Sequence, residues 1–160
     1  MPMLQDVLDL ENRSLGANGE PTLAAAYEIL KEQWRNGDRD REVGLHLMFL
    51  AWYGIIEPEH LTGFSESDMI RLELNQMFSE VHAFFEPQIV HDAEMLYAFG
   101  LAGAMFWFML NDDKIWEQRA KDYRKAYRAL QPNGLDPRIF DNRGAYGYYF
   151  AGQCEVNDGY

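Results

Sequence analysis

Met95 to Leu110, MLYAFGLAGAMFWFML, is a run of sixteen residues without a charge, an amide side chain or a proline. Asp92 and Glu94 precede it, and Asn111, Asp112 and Asp113 follow it. A helix over this run is apolar on every face, so its surroundings must be apolar all round, whether lipid or protein. The run falls short of the roughly 20 residues that a membrane helix needs. Acids stand at both flanks, where a membrane helix would favour Lys or Arg at its cytoplasmic end. The run therefore predicts the central helix of a domain that makes no membrane contact and wraps it with other helices.

The remaining sequence supplies those helices. Gly16 to Gly19 with Pro21, Asn36-Gly37-Asp38, Pro58 to Ser67, Pro87, Asn111 to Asp113 and Pro132 to Pro137 are turn signals. Between them the apolar residues recur at helical spacing. Thr22 heads a first segment carrying Leu23, Ala26, Tyr27, Leu30 and Trp34. Asp38 or Asp40 heads a second with Val43, Leu47, Leu50 and Ala51, and Ser65 or Ser67 a third with Ile70, Leu74, Met77, Phe78, Val81 and Phe85. Asp92 opens the apolar fourth, and Asp112 or Asp113 opens a fifth. Pro137 stands at the first position of a sixth, Arg138 to about Gly152. Valine and isoleucine are scarce and no period-two alternation is sustained, so no strand competes.

The expected fold is all-α, with about six helices in three antiparallel hairpins, as a helical bundle or a short α-solenoid-like stack. Residues 1–20 read as an N-terminal arm, 21–153 as one all-helical domain and 154–160 as a C-terminal tail. The 160 residues suffice for one domain with its own core. Trp116, Ala120 and Tyr123 have a spacing that resembles the tetratricopeptide consensus. Arg119 stands where that family favours Leu, and the later positions do not line up, so the resemblance extends to the architecture and not to membership.

Charge narrows the function. The net charge is −12, and residues 114–143, with eight basic and four acidic side chains, carry +4 of it, leaving −16 on the rest. Such acidity argues against nucleic acid and for a partner with a basic surface. The single cysteine, Cys154, fits a reducing, cytoplasmic compartment. There is no nucleophile elbow, phosphate loop or dinucleotide fingerprint, and no pair of Glu-x-x-His motifs on two helices. No catalytic residue, metal or cofactor is expected.

Two groups of residues stand out. Arg143, Tyr146, Tyr148 and Tyr149 give the sixth segment a surface rich in the side chains that dominate protein interfaces. Glu42 and His46, four apart on one helical face, join Trp52 and Trp107 as the wall of a possible pocket between the second, fourth and sixth segments. The expected function is a non-enzymatic protein-binding module, an acidic inhibitor or immunity-type protein that docks a basic partner. The alternative is a small helical enzyme or ligand-binding protein that uses the pocket.

Overall fold

A computed structural model describes residues 2–156 of the chain. Among these residues there are eight α-helices and no strand: α1 Pro2–Arg13, α2 Leu23–Arg35, α3 Arg41–Ile56, α4 Glu59–Thr62, α5 Asp68–Ile89, α6 Ala93–Phe106, α7 Asp113–Leu130 and α8 Gly144–Val156. Two short 3₁₀ turns, Trp107–Met109 and Pro137–Phe140, complete the regular structure. No helix among the described residues is long and apolar enough to cross a membrane.

The helix starts follow local chemistry. Asp40 accepts a hydrogen bond from the Glu42 N–H, Ser67 from that of Ile70 and Asp92 from that of Met95. Each satisfies a donor that the first turn leaves without a partner. Thr22 stands at the start of α2 but does not cap it. Its hydroxyl donates instead to the Leu10 carbonyl at 2.5 Å, which ties α2 to α1.

Helices α3 and α6 form the centre. Every residue from Val43 to Trp52 and from Glu94 to Gly103 is buried. The most extensive packing is of α6 on α7, followed by α3 on α5, α1 on α2 and α2 on α3, while α8 closes on α1 and α3. Close approach explains two central glycines. A Cβ on Gly44 would stand 2.2 Å from the Phe85 ring of α5, and one on Gly103 would stand 2.9 Å from the Trp116 ring of α7.

Several expectations need correction. Among the described residues the count is eight helices rather than about six. The residues read as an N-terminal arm carry α1, whose Val7 and Glu11 are fully buried. Its stripe of Leu4, Val7 and Leu8 ends on a carboxylate at Glu11, so it reads as surface until the buried partner of that carboxylate is known. The loop around Gly63 contains the single turn α4. Pro87 lies in the last turn of α5, not before a new start. The hydrogen bond it forfeits would go to the carbonyl of Ala83, and both residues are exposed. The apolar helix ends at Phe106, with Ala104, Met105 and Phe108 exposed, so it is wrapped on every face only as far as Gly103, although Phe106 still packs on the core. The last helix starts at Gly144, because 137–140 is 3₁₀, and it runs through Cys154 to Val156, into the residues read as a tail. Residues 157–160 lie outside the described residues.

One core side chain makes the fold sensitive to mild acid. His82 is buried among Phe99, Trp116 and Tyr123, with its Nε2 2.6 Å from the Tyr123 hydroxyl. Burial, with the Arg119 charge adding to it, pushes the imidazole down to about 3. The unfolded chain therefore binds a proton near pH 6.5 that the folded chain refuses until about 3. Stability then falls as pH drops below 6.5, by about 1.5 kcal/mol between pH 6.5 and 5. Denaturant unfolding of wild type and His82→Gln over that range should show a flatter profile for the variant. Parallel profiles would remove His82 as the cause.

Candidate functional site

Helices α1, α3, α6 and α8 meet around a buried ionic network. The carboxylate of Glu11 from α1 reaches His46 of α3, with Oε2 2.6 Å from the imidazole Nδ1. Its other oxygen accepts the Tyr146 N–H at 3.1 Å, so a residue of α1 supplies a carboxylate to the first turn of α8. Negative charge there is favoured by the helix dipole and satisfies a donor the helix leaves open. Arg143, just before α8, forks onto Glu42 at 2.5 and 3.1 Å and onto Glu94 at 2.7 Å. The Tyr146 hydroxyl donates to Glu94 at 2.5 Å. Arg41 holds the outer side of Glu94 at 3.2 Å and grips Asp92 at 2.8 and 2.9 Å.

The charges lie in direct contact with one another. Burial pushes the Glu94 carboxyl up, but hydrogen bonds from Arg143 and Tyr146 and the charges of Arg143 and Arg41 outweigh it and hold it below the usual carboxylate range. Burial likewise lowers Arg143, and Glu42 and Glu94 more than reverse the effect. The Tyr146 hydroxyl is raised well above its ordinary value, first by burial and then by the neighbouring Glu94.

Structurally, the network clamps α1, α3, α6 and α8 together. The Glu11–His46 pair has the form of an oriented imidazole, but His46 is fully buried and its Nε2 faces Glu42 at 3.6 Å without a hydrogen bond. A general base must come within hydrogen-bond reach of the proton it removes, and His46 has no exposed surface in this structure. Among the described residues, no group of three or more His, Cys, Asp or Glu side chains is placed to hold a metal ion.

The surface of the same helices offers a different site. A cleft of about 410 Å³ lies between α3 and α8 and is bounded by the α1–α2 connection at Ser14 to Gly16. Phe49 and Tyr53 of α3 and Tyr148 and Tyr149 of α8 supply its rings. Phe49 stacks on Tyr53 at 5.1 Å, and Tyr149 stands 5.7 and 5.8 Å from these two. Tyr148 is 69% exposed at the edge. Burial and the charge of Glu57, which ends α3, both raise the Tyr53 hydroxyl, and Glu57 acts on Tyr149 in the same sense.

The structure thus divides the sequence candidates. Of the proposed partner-binding residues, Tyr148 and Tyr149 line the cleft, while Arg143 and the fully buried Tyr146 belong to the network, together with Glu42 and His46. Glu42, His46, Trp52 and Trp107 do not form one pocket. Trp52 is fully buried beneath the cleft, 5.5 Å from the Tyr149 ring, and its indole N–H has no hydrogen-bond partner. Trp107 is half-buried in the 3₁₀ turn after α6, under the Lys114 ammonium at 5.1 Å. Helix spacing puts Tyr148 on the side of α8 opposite Tyr146 but leaves Tyr149, three residues on, on the same side as Tyr146, so the exposure of Tyr148 is local and the split between Tyr146 and Tyr149 is not. Glu11, Phe49 and Tyr53 were missed, Glu11 because nothing near it in sequence marks it as buried. No protein-family model, curated protein or solved structure matches the chain.

Proposed function

We propose that the chain is a non-enzymatic module that binds another protein of basic surface, in the manner of an inhibitor or immunity-type protein, through the α3–α8 face. The observation that carries this reading is Tyr148. It is 69% exposed at the edge of an aromatic cleft, on a helix whose Tyr146 is fully buried and whose Tyr149 is half-buried in the cleft wall. Tyrosine at the rim of an apolar depression is the composition of an interface hot spot. The acidity of the chain outside 114–143 suits a basic partner. A reducing, cytoplasmic compartment goes with this reading and suits a chain with one cysteine.

Tyr148→Ala separates binding from folding. An exposed side chain away from the core should change stability by no more than about 0.5 kcal/mol. Partner affinity should fall by about tenfold or more. The measurement is capture of partners from lysate by wild type and variant at low and physiological salt, with melting curves alongside. A basic protein retained by wild type, released by salt and lost in the variant supports the reading. Equal retention by both proteins sinks it.

A second reading keeps the cleft but changes its occupant. About 410 Å³ lies within the range of small-molecule sites. A ligand-binding protein would show a melting temperature raised by a compound that Tyr148→Ala and Tyr149→Leu no longer bind.

A further inference from the structure

We infer that the α3–α8 cleft is a subsite for the side chain of an arginine carried by the partner protein. This rests on the protein-binding reading above and gives that partner a chemistry.

Several aromatic rings elsewhere in the fold carry a cation on one face. Lys31 lies over Tyr27, Arg39 over Trp34 at 3.8 Å, Lys114 over Trp107, Arg119 over Trp116 and Arg143 over Tyr146. The rings of Phe49, Tyr53, Tyr148 and Tyr149 receive no such cation from the described residues, and no basic side chain lines the cleft. Aromatic faces attract guanidinium groups, more strongly when water is excluded.

The electrostatics point the same way. Glu57 follows the last turn of α3, its N–H on the Tyr53 carbonyl, and its charge is felt at Tyr53 and Tyr149. The last turn of α3 contains no basic residue to offset the partial negative charge of its terminal carbonyls. Leu15, Leu23 and Leu61 give the remaining wall an apolar surface. An arginine fits the cleft, because its methylene stem packs on apolar surface while its planar head stacks on the rings, beside Glu57, which follows the last turn of α3 but does not line the cleft.

The test uses the full chain and four short peptides, identical except for one central residue: arginine, lysine, norleucine or glutamate. Binding is followed by amide and tyrosine ring shifts in nuclear magnetic resonance titrations, with wild type, Glu57→Gln and Tyr149→Leu. The arginine peptide should shift the resonances of Tyr53, Tyr148 and Tyr149 and bind at least fivefold more tightly than norleucine. Glu57→Gln, a change at the partly exposed helix end, should weaken the arginine peptide about threefold or more and leave norleucine unaffected. Norleucine binding as well as arginine would overturn the inference in favour of an apolar occupant. Self-association of the chain that Tyr148→Ala abolishes would put a second copy in the cleft and overturn it as well. If the arginine peptide shifts nothing in the cleft while Tyr148→Ala still abolishes capture of a basic protein, the arginine subsite fails and the binding face stands. If Tyr148→Ala has no effect on capture, the protein-binding reading fails on its own.

Discussion

Arg143→Ala should destabilise the protein by about 3–5 kcal/mol. The guanidinium joins Glu42 of α3 to Glu94 of α6 through contacts of 2.5 to 3.1 Å, and it lies 5.0 Å from the centre of the Tyr146 ring. Removing it leaves two facing carboxylates, one of them almost fully buried, with only Arg41 on the outer side. For a chain of this size the expected fall in melting temperature is roughly 6–20 °C. Arg143→Lys should fall between, since a single ammonium cannot fork onto two carboxylates. Adding Glu42→Gln to Arg143→Ala should recover part of the loss, because less charge is left uncompensated. The pH dependence has a definite sign. Glu94 is held below its unfolded value, so its contribution is present above the ordinary carboxylate range and is lost as pH falls through the lowered value. The gap between wild type and Arg143→Ala should therefore narrow on acidification below the carboxylate range. A gap of under 1 kcal/mol at pH 7 would show that the network adds little to the fold.

Arg143 also marks what the sequence could and could not disclose. Asp40, Ser67 and Asp92 were legible as helix starts because capping depends on residues two or three apart. The burial of α6 as far as Gly103 was legible because apolarity on every face leaves one outcome where no helix of the described residues is long and apolar enough to cross a membrane, whereas α3 read as apolar on one face and is buried on all. The pairing of Arg143 with Glu42 spans 101 residues, and that of Glu11 with Tyr146 spans 135. Nothing local specifies either, so a buried carboxylate on α1 passed for a solvent-facing one and α1 passed for an arm. Trp107 was misplaced for a related reason. Apolar periodicity predicts burial only as far as neighbouring helices extend, and α6 outruns its neighbours at Ala104.

Gly144→Ala should cost about as much as Arg143→Ala, although it adds only one methyl group. Gly144 has φ of +66°, a conformation that an L-residue adopts at a cost of about 1–2 kcal/mol. A Cβ there would also stand 2.6 Å from Glu11 Oε1 and 3.1 Å from Glu11 Cβ. An exposed glutamate would swing aside. Glu11 is fully buried and held by both His46 and the Tyr146 N–H, so it can yield only by giving up bonds that hold α1 to α3 and α8. Loss of one charge-assisted bond of this kind adds about 1.5–3 kcal/mol, which with the backbone term makes a total of about 3–5 kcal/mol. Gly37→Ala is the control, since Gly37 has φ of +98° and open space where its Cβ would be. It should show the backbone term alone. A double-mutant cycle then isolates the contact: in a Glu11→Ala background, Gly144→Ala should lose no more than Gly37→Ala does in wild type. Equal losses for Gly144→Ala with and without Glu11 would mean that the methyl group never meets the carboxylate, and that α1 does not anchor the start of α8.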